Sequence, residues 1–257
     1  MAFAAGSNGP ILYAIDPWSP SARRQFLDER KSARLAKIAS IARFKKGDQI
    51  YHGSGIAEAA FSLKSGVVTT YVSSPSGGQH ITAFLYPGDI FGLCEQGRYT
   101  NCAKAATSVV AYRLPIAALQ RLLSEDADLD LDVIVKLCEE VRHAQHHALI
   151  LSQRRAVSRL AMFLDLQERL QAINGEIASE IFLPMDRTEI ADFIGLSLAA
   201  VSRAFSALIA RRTITCRDRR HVRIDDRADL ESSMRWNEAH LLRKSTDRLG
   251  VSDRRGP

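Results

Sequence analysis

Cysteine is scarce in this chain: four in 257 residues, widely spaced and with no CxxC pair. That excludes a disulfide framework and a zinc site of the usual spacing. No uninterrupted apolar run approaches the roughly 20 residues that a membrane-crossing helix needs, so no membrane partner is expected. The first ten residues, MAFAAGSNGP, lack the charged start and apolar core of a secretory signal, and a cytoplasmic setting is expected. There is no HExxH, no Walker loop, no Rossmann glycine cluster and no nucleophile–base pair, so no enzyme is expected. Acid is in deficit as well. Thirty-five Lys and Arg against 29 Asp and Glu leave a net charge of +6 and a pI near 9.3. Such a balance favours a polyanionic partner without requiring one.

The stretch from Leu183 to Ile224, LPMDRTEIADFIGLSLAAVSRAFSALIARRTITCRDRRHVRI, carries most of the chemistry. Asp186 followed by Glu189 is a capping-box pattern at a helix start. Ile190, Ala191 and Ile194 recur at helical spacing, and Gly195 supplies a stop. Ser197 is the next N-cap candidate, opening a helix to about Ala210 with Val201, Phe205 and Leu208 on its apolar stripe. The opposite face carries Ala199, Ser202, Arg203 and Ser206, short or hydrogen-bonding side chains. Two helices around so short a turn predict a helix-turn-helix, whose second helix reads base edges with its N-terminal residues. An arginine fork suits guanine N7 and O6. Thr213 to Cys216 and His221 to Ile224 then read as strands around an Arg217-Asp218-Arg219-Arg220 turn, which suits a phosphate backbone. The alternative is a helix pair with a solvated charged face.

Upstream, a Gly/Pro/Ser-rich start gives way to a basic stretch, Arg23 to Arg43, with periodicity for one amphipathic helix. From Phe44 to Leu114, short alternating runs broken by Gly-Gly and Pro-Gly-Asp turns predict a small antiparallel barrel or sandwich. Pro115 to about Gln171 is expected to be helical throughout. Within it, Ile134, Leu137, Val141, Ala148 and Leu151 approximate a heptad seam. That seam is either a pairing face or the packed side of a single amphipathic helix.

The stretch DRTEIADFIGLSLAAVSR resembles the recognition region of the CRP/FNR superfamily of bacterial transcription regulators, particularly the FNR/FixK branch. KKGDQIYHGSG, SLKSGVVTTY and YPGDIFGL are similar, in order and spacing, to that family's cyclic-nucleotide-binding fold. The resemblance implies an α+β chain. It would comprise a cyclic-nucleotide-binding-like antiparallel β-barrel (jelly-roll), a long dimerisation helix and a C-terminal winged helix-turn-helix. The corresponding boundaries are 1–40 for an N-terminal extension, 41–122 for the barrel, 123–152 for the helix, 153–226 for the DNA-binding domain and 227–257 for a charged tail.

By that resemblance the partners are double-stranded DNA, RNA polymerase and a second copy of the chain. The function is that of an activator on a palindromic operator, linked to low-oxygen or nitrogen-related genes. The residues expected at DNA are Arg187, Thr188, Ser197, Leu198, Ala199, Ser202, Arg203, Arg219 and Arg220. The branch usually has a base-contacting glutamate where this chain has Ala199, so one operator position is relaxed or changed.

Cyclic-AMP binders of the family carry Gly-Glu and Arg-Ser pairs. Here Gly92-Leu93 and Tyr99-Thr100 stand at those sites, and dependence on cyclic AMP is not expected. An iron–sulfur cluster of the FNR kind needs cysteines near the N-terminus, and the first forty residues have none. The cysteines read as small apolar residues, with Cys216 the exception: arginines around it should lower its pKa and favour oxidation. A ligand-gated regulator binding another small molecule, or a redox signal at Cys216, is the alternative function. His143, His146 and His147 are expected on the outer side of the long helix, and neither metal nor cofactor is expected.

Overall fold

Among the described residues, ten short strands between Ser40 and Pro115 build the first half of the molecule. The computed structural model describes residues 34–74, 78–173 and 180–234. In chain order the strands are β1 (Ser40–Phe44), β2 (Gln49–Tyr51), β3 (Ala59–Ser65), β4 (Val68–Ser73), β5 (Gln79–Leu85), β6 (Ile90–Phe91), β7 (Cys94–Glu95), β8 (Arg98–Tyr99), β9 (Cys102–Ala105) and β10 (Val109–Pro115). All pairings are antiparallel, in one sheet ordered β1-β10-β3-β6, a second ordered β2-β9-β4-β5 and the small hairpin β7-β8. Between the two larger sheets lie Tyr51, Phe61, Leu63, Val68, Leu85, Phe91 and Tyr99. The predicted jelly-roll barrel is therefore the observed fold of this half.

One correction concerns the upstream segment. Ser40–Phe44 is a strand paired with β10, not the end of a basic amphipathic helix. Its residues are exposed or half-buried because it is an edge strand, which blunts the alternation that betrays an inner one. Residues 34–36 are helical, as expected, while the part of the expected helix up to residue 33 lies outside the described residues, as do the start of the chain and everything beyond 234.

The section expected to be helical is so, as three helices, α1 (Ile116–Glu125), α2 (Ala127–Ser152) and α3 (Ala156–Ile173). Asp126 separates the first two, since its Oδ1 accepts from Leu129 N at 3.2 Å and so starts α2 afresh. Gln153 is extended (φ −67°, ψ 137°) and ends α2 before α3 begins. At 26 residues, α2 is about 39 Å long at 1.5 Å per residue. Leu119, Leu129 and Val133 seal α1 and α2 against Ala60, Ile90 and Leu114 of the first sheet.

The second half comprises β11 (Ile181–Phe182), α4 (Arg187–Ile194), α5 (Leu198–Ala210), β12 (Ile214–Cys216), β13 (His221–Ile224) and α6 (Arg227–Met234). The wing is three-stranded, ordered β11-β13-β12; β11 escaped the sequence reading because two residues carry no periodicity. Residues 227–234 are helix where a tail was expected. Leu230 is fully buried, and Arg227 binds Asp165 on α3 at 2.8 Å and also pairs with Glu168. One core joins the two halves: Tyr71, Ile81, Phe84 and Tyr86 from the barrel pack with Leu160, Phe163, Ile190, Phe193, Val201 and Leu208. Among the described residues no single helix is long and apolar enough to cross a membrane.

Candidate nucleic-acid interface

Local hydrogen bonding builds the helix pair. Asp186 Oδ1 accepts from Glu189 N at 2.8 Å, and Glu189 Oε2 accepts from Asp186 N at 3.0 Å, so the predicted capping box starts α4. Gly195 ends it at φ 64°, a left-handed conformation in which a side chain would be strained. Ser197 Oγ then accepts from Ala200 N at 3.2 Å to start α5. The two helices meet at 99°, within the range of a helix-turn-helix. Val201, Ala204, Phe205 and Leu208 are buried, which turns Leu198, Ala199, Ser202, Arg203 and Ser206 outward, all exposed.

The hydrogen-bonding capacity of that face is uneven. Ser202 Oγ donates to Leu198 O at 2.9 Å and Ser206 Oγ to Ser202 O at 3.1 Å. Their protons are committed, so they offer lone pairs to a base. No hydrogen bond or ion pair among the described residues engages the Arg203 guanidinium. It is the strong donor fork of the face, with Leu198 and Ala199 forming an apolar step one turn before it. Thr188 and Ser197 are exposed beside them, Ser197 with its oxygen occupied by the cap.

Three expectations need correction. Arg187 does not extend towards a ligand: its guanidinium lies 3.3 Å from the centre of the Phe205 ring, beside Cys216, and burial lowers its pKa. Arg220 is half-buried and donates to Pro184 O at 2.5 Å, while its own carbonyl accepts from Leu183 N at 2.7 Å. It pins the wing to the entry of α4. Cys216 is not surrounded by the turn's arginines. Burial pushes its thiol pKa up, opposed by Arg187 alone among the cations, with Asp218 adding to the rise. The physical reason is common to all three. A residue's neighbours in sequence point away from one another on a strand or turn, and partners far along the chain take their place.

Elsewhere in the wing, Arg217 pairs with Glu180 at 3.1 Å and Arg223 with Asp225 at 2.6 Å. Among the described residues nothing holds Arg219, which is exposed at the turn and well placed for phosphate. Arg212 is also exposed, at φ 59°. Arg211 is tied to Asp229 on α6.

Sequence reasoning missed the residues that seat the helix pair. Arg159 on α3 donates from Nη1 to the carbonyls of Ile194 (3.0 Å) and Gly195 (2.8 Å), and from Nε to Gln153 O at 2.8 Å. Lys104 on β9 reaches Glu189 of α4 at 3.0 Å. His147 stacks on Phe193 with centroids 4.0 Å apart and planes 2° apart, and its Nε2 lies 2.6 Å from the Phe193 carbonyl. The histidines thus do not sit on the outer side of α2. Burial holds His146 near a pKa of about 4 and lowers that of His147. Among the described residues no three His, Cys, Asp or Glu side chains gather as a metal site would need.

The barrel interior is filled by rings. Tyr99 stacks on Tyr51 at 4.0 Å and donates from Oη to Ala59 O at 2.7 Å, while Phe61 and Phe91 stack at 5.3 Å. Gly92 (φ 74°) closes on this cluster so tightly that a Cβ would lie 3.2 Å from both Phe61 and Tyr51. Arg98 points outward and donates to Ser54 O at 2.6 Å. A cleft of about 440 Å³ remains between barrel, α2 and the second half, where Thr70, Thr82, Glu140, His143 and Gln167 supply polar groups. Along α2, Ile134, Leu137, Val141, Ala148 and Leu151 are all exposed, Val141 by 56%, with Leu137 and Val141 at the edge of that cleft. Leu131 and Val135 extend the stripe.

Comparison with known proteins matches both halves. Residues 41–126 match the cyclic nucleotide-binding domain and residues 158–233 the Crp-like helix-turn-helix domain. The chain is 32% identical over 216 residues to the nitrogen fixation regulation protein FixK of Azorhizobium caulinodans, covering 83% of this chain and 87% of that protein. It is 30% identical over 165 residues to the transcriptional activator protein FnrA of Stutzerimonas stutzeri, covering 63% and 67%. Among solved structures, FixK2 from Bradyrhizobium japonicum superposes with a TM-score of 0.72 at 28% identity, covering 77% of this chain and 98% of that one.

Proposed function

The chain belongs to the CRP/FNR family of transcription regulators, in its FixK-like branch, and we propose that it acts as a homodimeric activator on a palindromic operator. The observation that carries this reading is the outward face of α5, where Arg203 stands exposed and unengaged among residues able to meet base edges. The exposed apolar stripe of α2 supports pairing with a second copy, since contiguous apolar surface of this kind marks an interface. A two-fold axis there places two recognition helices about 34 Å apart, one DNA turn.

The protein works without cyclic AMP. Tyr51, Phe61, Phe91 and Tyr99 fill the barrel interior, and among the described residues neither a glutamate beside Gly92 nor an inward arginine is present to hold ribose and phosphate. It needs no cofactor, recruits RNA polymerase from a cytoplasmic location and serves low-oxygen or nitrogen-related genes. The last point rests on the named roles of its relatives. Members of this family regulate transcription and are not enzymes.

Selection of bound sites from random DNA, with Arg203→Ala alongside, tests this function. A palindrome in the wild type that loses its guanine preference in the variant is expected; binding indifferent to sequence would sink it. The second reading, gating by a small molecule other than cyclic AMP, is favoured by one observation, the cleft of about 440 Å³ beside α2. Full operator affinity of the purified protein, unchanged by cell extract, would count against obligatory gating. The redox form of that reading loses its premise, because burial raises rather than lowers the Cys216 pKa.

A further inference from the structure

The junction between α2 and α3 is a short non-helical link, with Gln153 extended between the two helices. Left to itself such a link is a hinge, and the helix pair would swing on it relative to α2. Besides the His147–Phe193 contact and the shared core, one guanidinium bridges the link itself. Arg159, at the start of α3, binds the carbonyl that ends α2, that of Gln153, at 2.8 Å. The same guanidinium binds the two carbonyls at the turn of the helix pair, Ile194 at 3.0 Å and Gly195 at 2.8 Å. Helix C-termini leave carbonyls without intrahelical partners and carry partial negative charge, so a planar cation with several N–H groups suits the place. The turn is shaped around it: a Cβ on Gly195 would come within 3.1 Å of Arg159 Nη1 and 3.0 Å of Leu151 Cδ2. The last turn of α2, the link and the turn of the helix pair therefore meet at one guanidinium.

We propose that Arg159 is a positioning residue that indexes the recognition helix to the dimer axis and so sets the spacing between operator half-sites. This rests on the dimeric reading above. In a symmetric dimer the two copies of α2 define the axis, and the distance between recognition helices depends on how each helix pair is held at the end of α2. The tolerance is small. Over a lever of about 20 Å, the length of α5 at 1.5 Å per residue, a swing of about 10° displaces the far end by roughly 3.5 Å, which is one base-pair step. Arg159 touches no base. Its loss releases the register between half-sites and leaves the reading of each half-site intact.

The test uses full-length protein, its selected palindrome, and the same palindrome with the spacer lengthened or shortened by one base pair. A further operator has the guanine read by Arg203 replaced. The wild type should lose about tenfold or more in affinity for a one-base-pair change, the scale of one lost base contact. Arg159→Ala and Arg159→Lys should lose less than about threefold for that change, while the penalty for the replaced guanine stays as in the wild type. Each penalty is a ratio within one protein, so a reduced active fraction cancels. The lysine variant keeps the charge and the fold but cannot reach three carbonyls at once. Retention of the wild-type spacing penalty by both variants overturns the assignment, and so does loss of all binding by folded variants. A wild type indifferent to spacing overturns the dimeric reading itself.

Discussion

Ala199→Glu tests the geometry of the recognition face most directly. Ala199 is the second residue of α5, exposed, and the first turn of that helix holds no acid. A carboxylate there gains about 0.3–1 kcal/mol from the helix N-terminus, against a few tenths lost in propensity. The fold should therefore stay within about 1 kcal/mol of the parent. The effect on DNA is larger. A carboxylate in the groove accepts from cytosine N4, a discrimination of about 1–3 kcal/mol per contact. Over two half-sites that is about 2–6 kcal/mol, at least thirtyfold at the lower end. Position also follows. Ala199 and Arg203 lie four residues apart on one exposed face, about 6 Å along the axis, close to two base-pair steps. Site selection should show a new cytosine preference about two base pairs from the guanine that Arg203 reads, with a thermal melt near that of the parent. An unchanged selected site would show that the start of α5 is not in the groove. Loss of all binding without a new preference would show that residue 199 meets phosphate instead.

Two further outcomes concern α2. Lys136 and Glu139 are both buried and pair at 2.7 Å, and Glu139 Oε1 has no hydrogen-bond partner among the described residues. Lys136→Met should cost about 3–5 kcal/mol in urea unfolding, and adding Glu139→Leu should restore most of it; a harmless single variant would refute the burial. Burial holds His146 near a pKa of about 4 against the usual 6.5, so below pH 6.5 the unfolded chain takes up a proton that the fold excludes. Stability is full above about pH 6.5 and falls by about 1.4 kcal/mol per pH unit down to about pH 4. His146→Leu should flatten that slope, and an unchanged slope would place the titration elsewhere.

Much of the site was legible because its determinants are local. The Asp186–Glu189 box, the Gly195 stop and the Ser197 cap are contacts between residues three or four apart, and the strands from Ala59 to Leu114 announce themselves by alternation. What escaped were partners distant along the chain. Arg187 and Arg220 read as free cations beside a DNA-binding helix until Phe205 and the Pro184 carbonyl took them. Arg159 carries no signal in sequence, and His147 read as solvated, because what they touch, the carbonyls of Phe193, Ile194 and Gly195, is contributed by α4 and the turn after it. Ser40–Phe44 and Arg227–Met234 were misjudged for a related reason: the edge strand buries no residue fully and the charged helix only Leu230 and Ser233.

The sequence by itself determined the class of the molecule, an antiparallel roll followed by a long helix and a winged helix-turn-helix, and which face of α5 turns outward. Periodicity and caps encode these within a few residues. Only the tertiary structure decided which cations remain free for DNA. It also decided that rings close the barrel interior and that one guanidinium ties the helix pair to the end of α2. Charge, burial and hydrogen bonding at a given residue depend on neighbours that folding alone brings together.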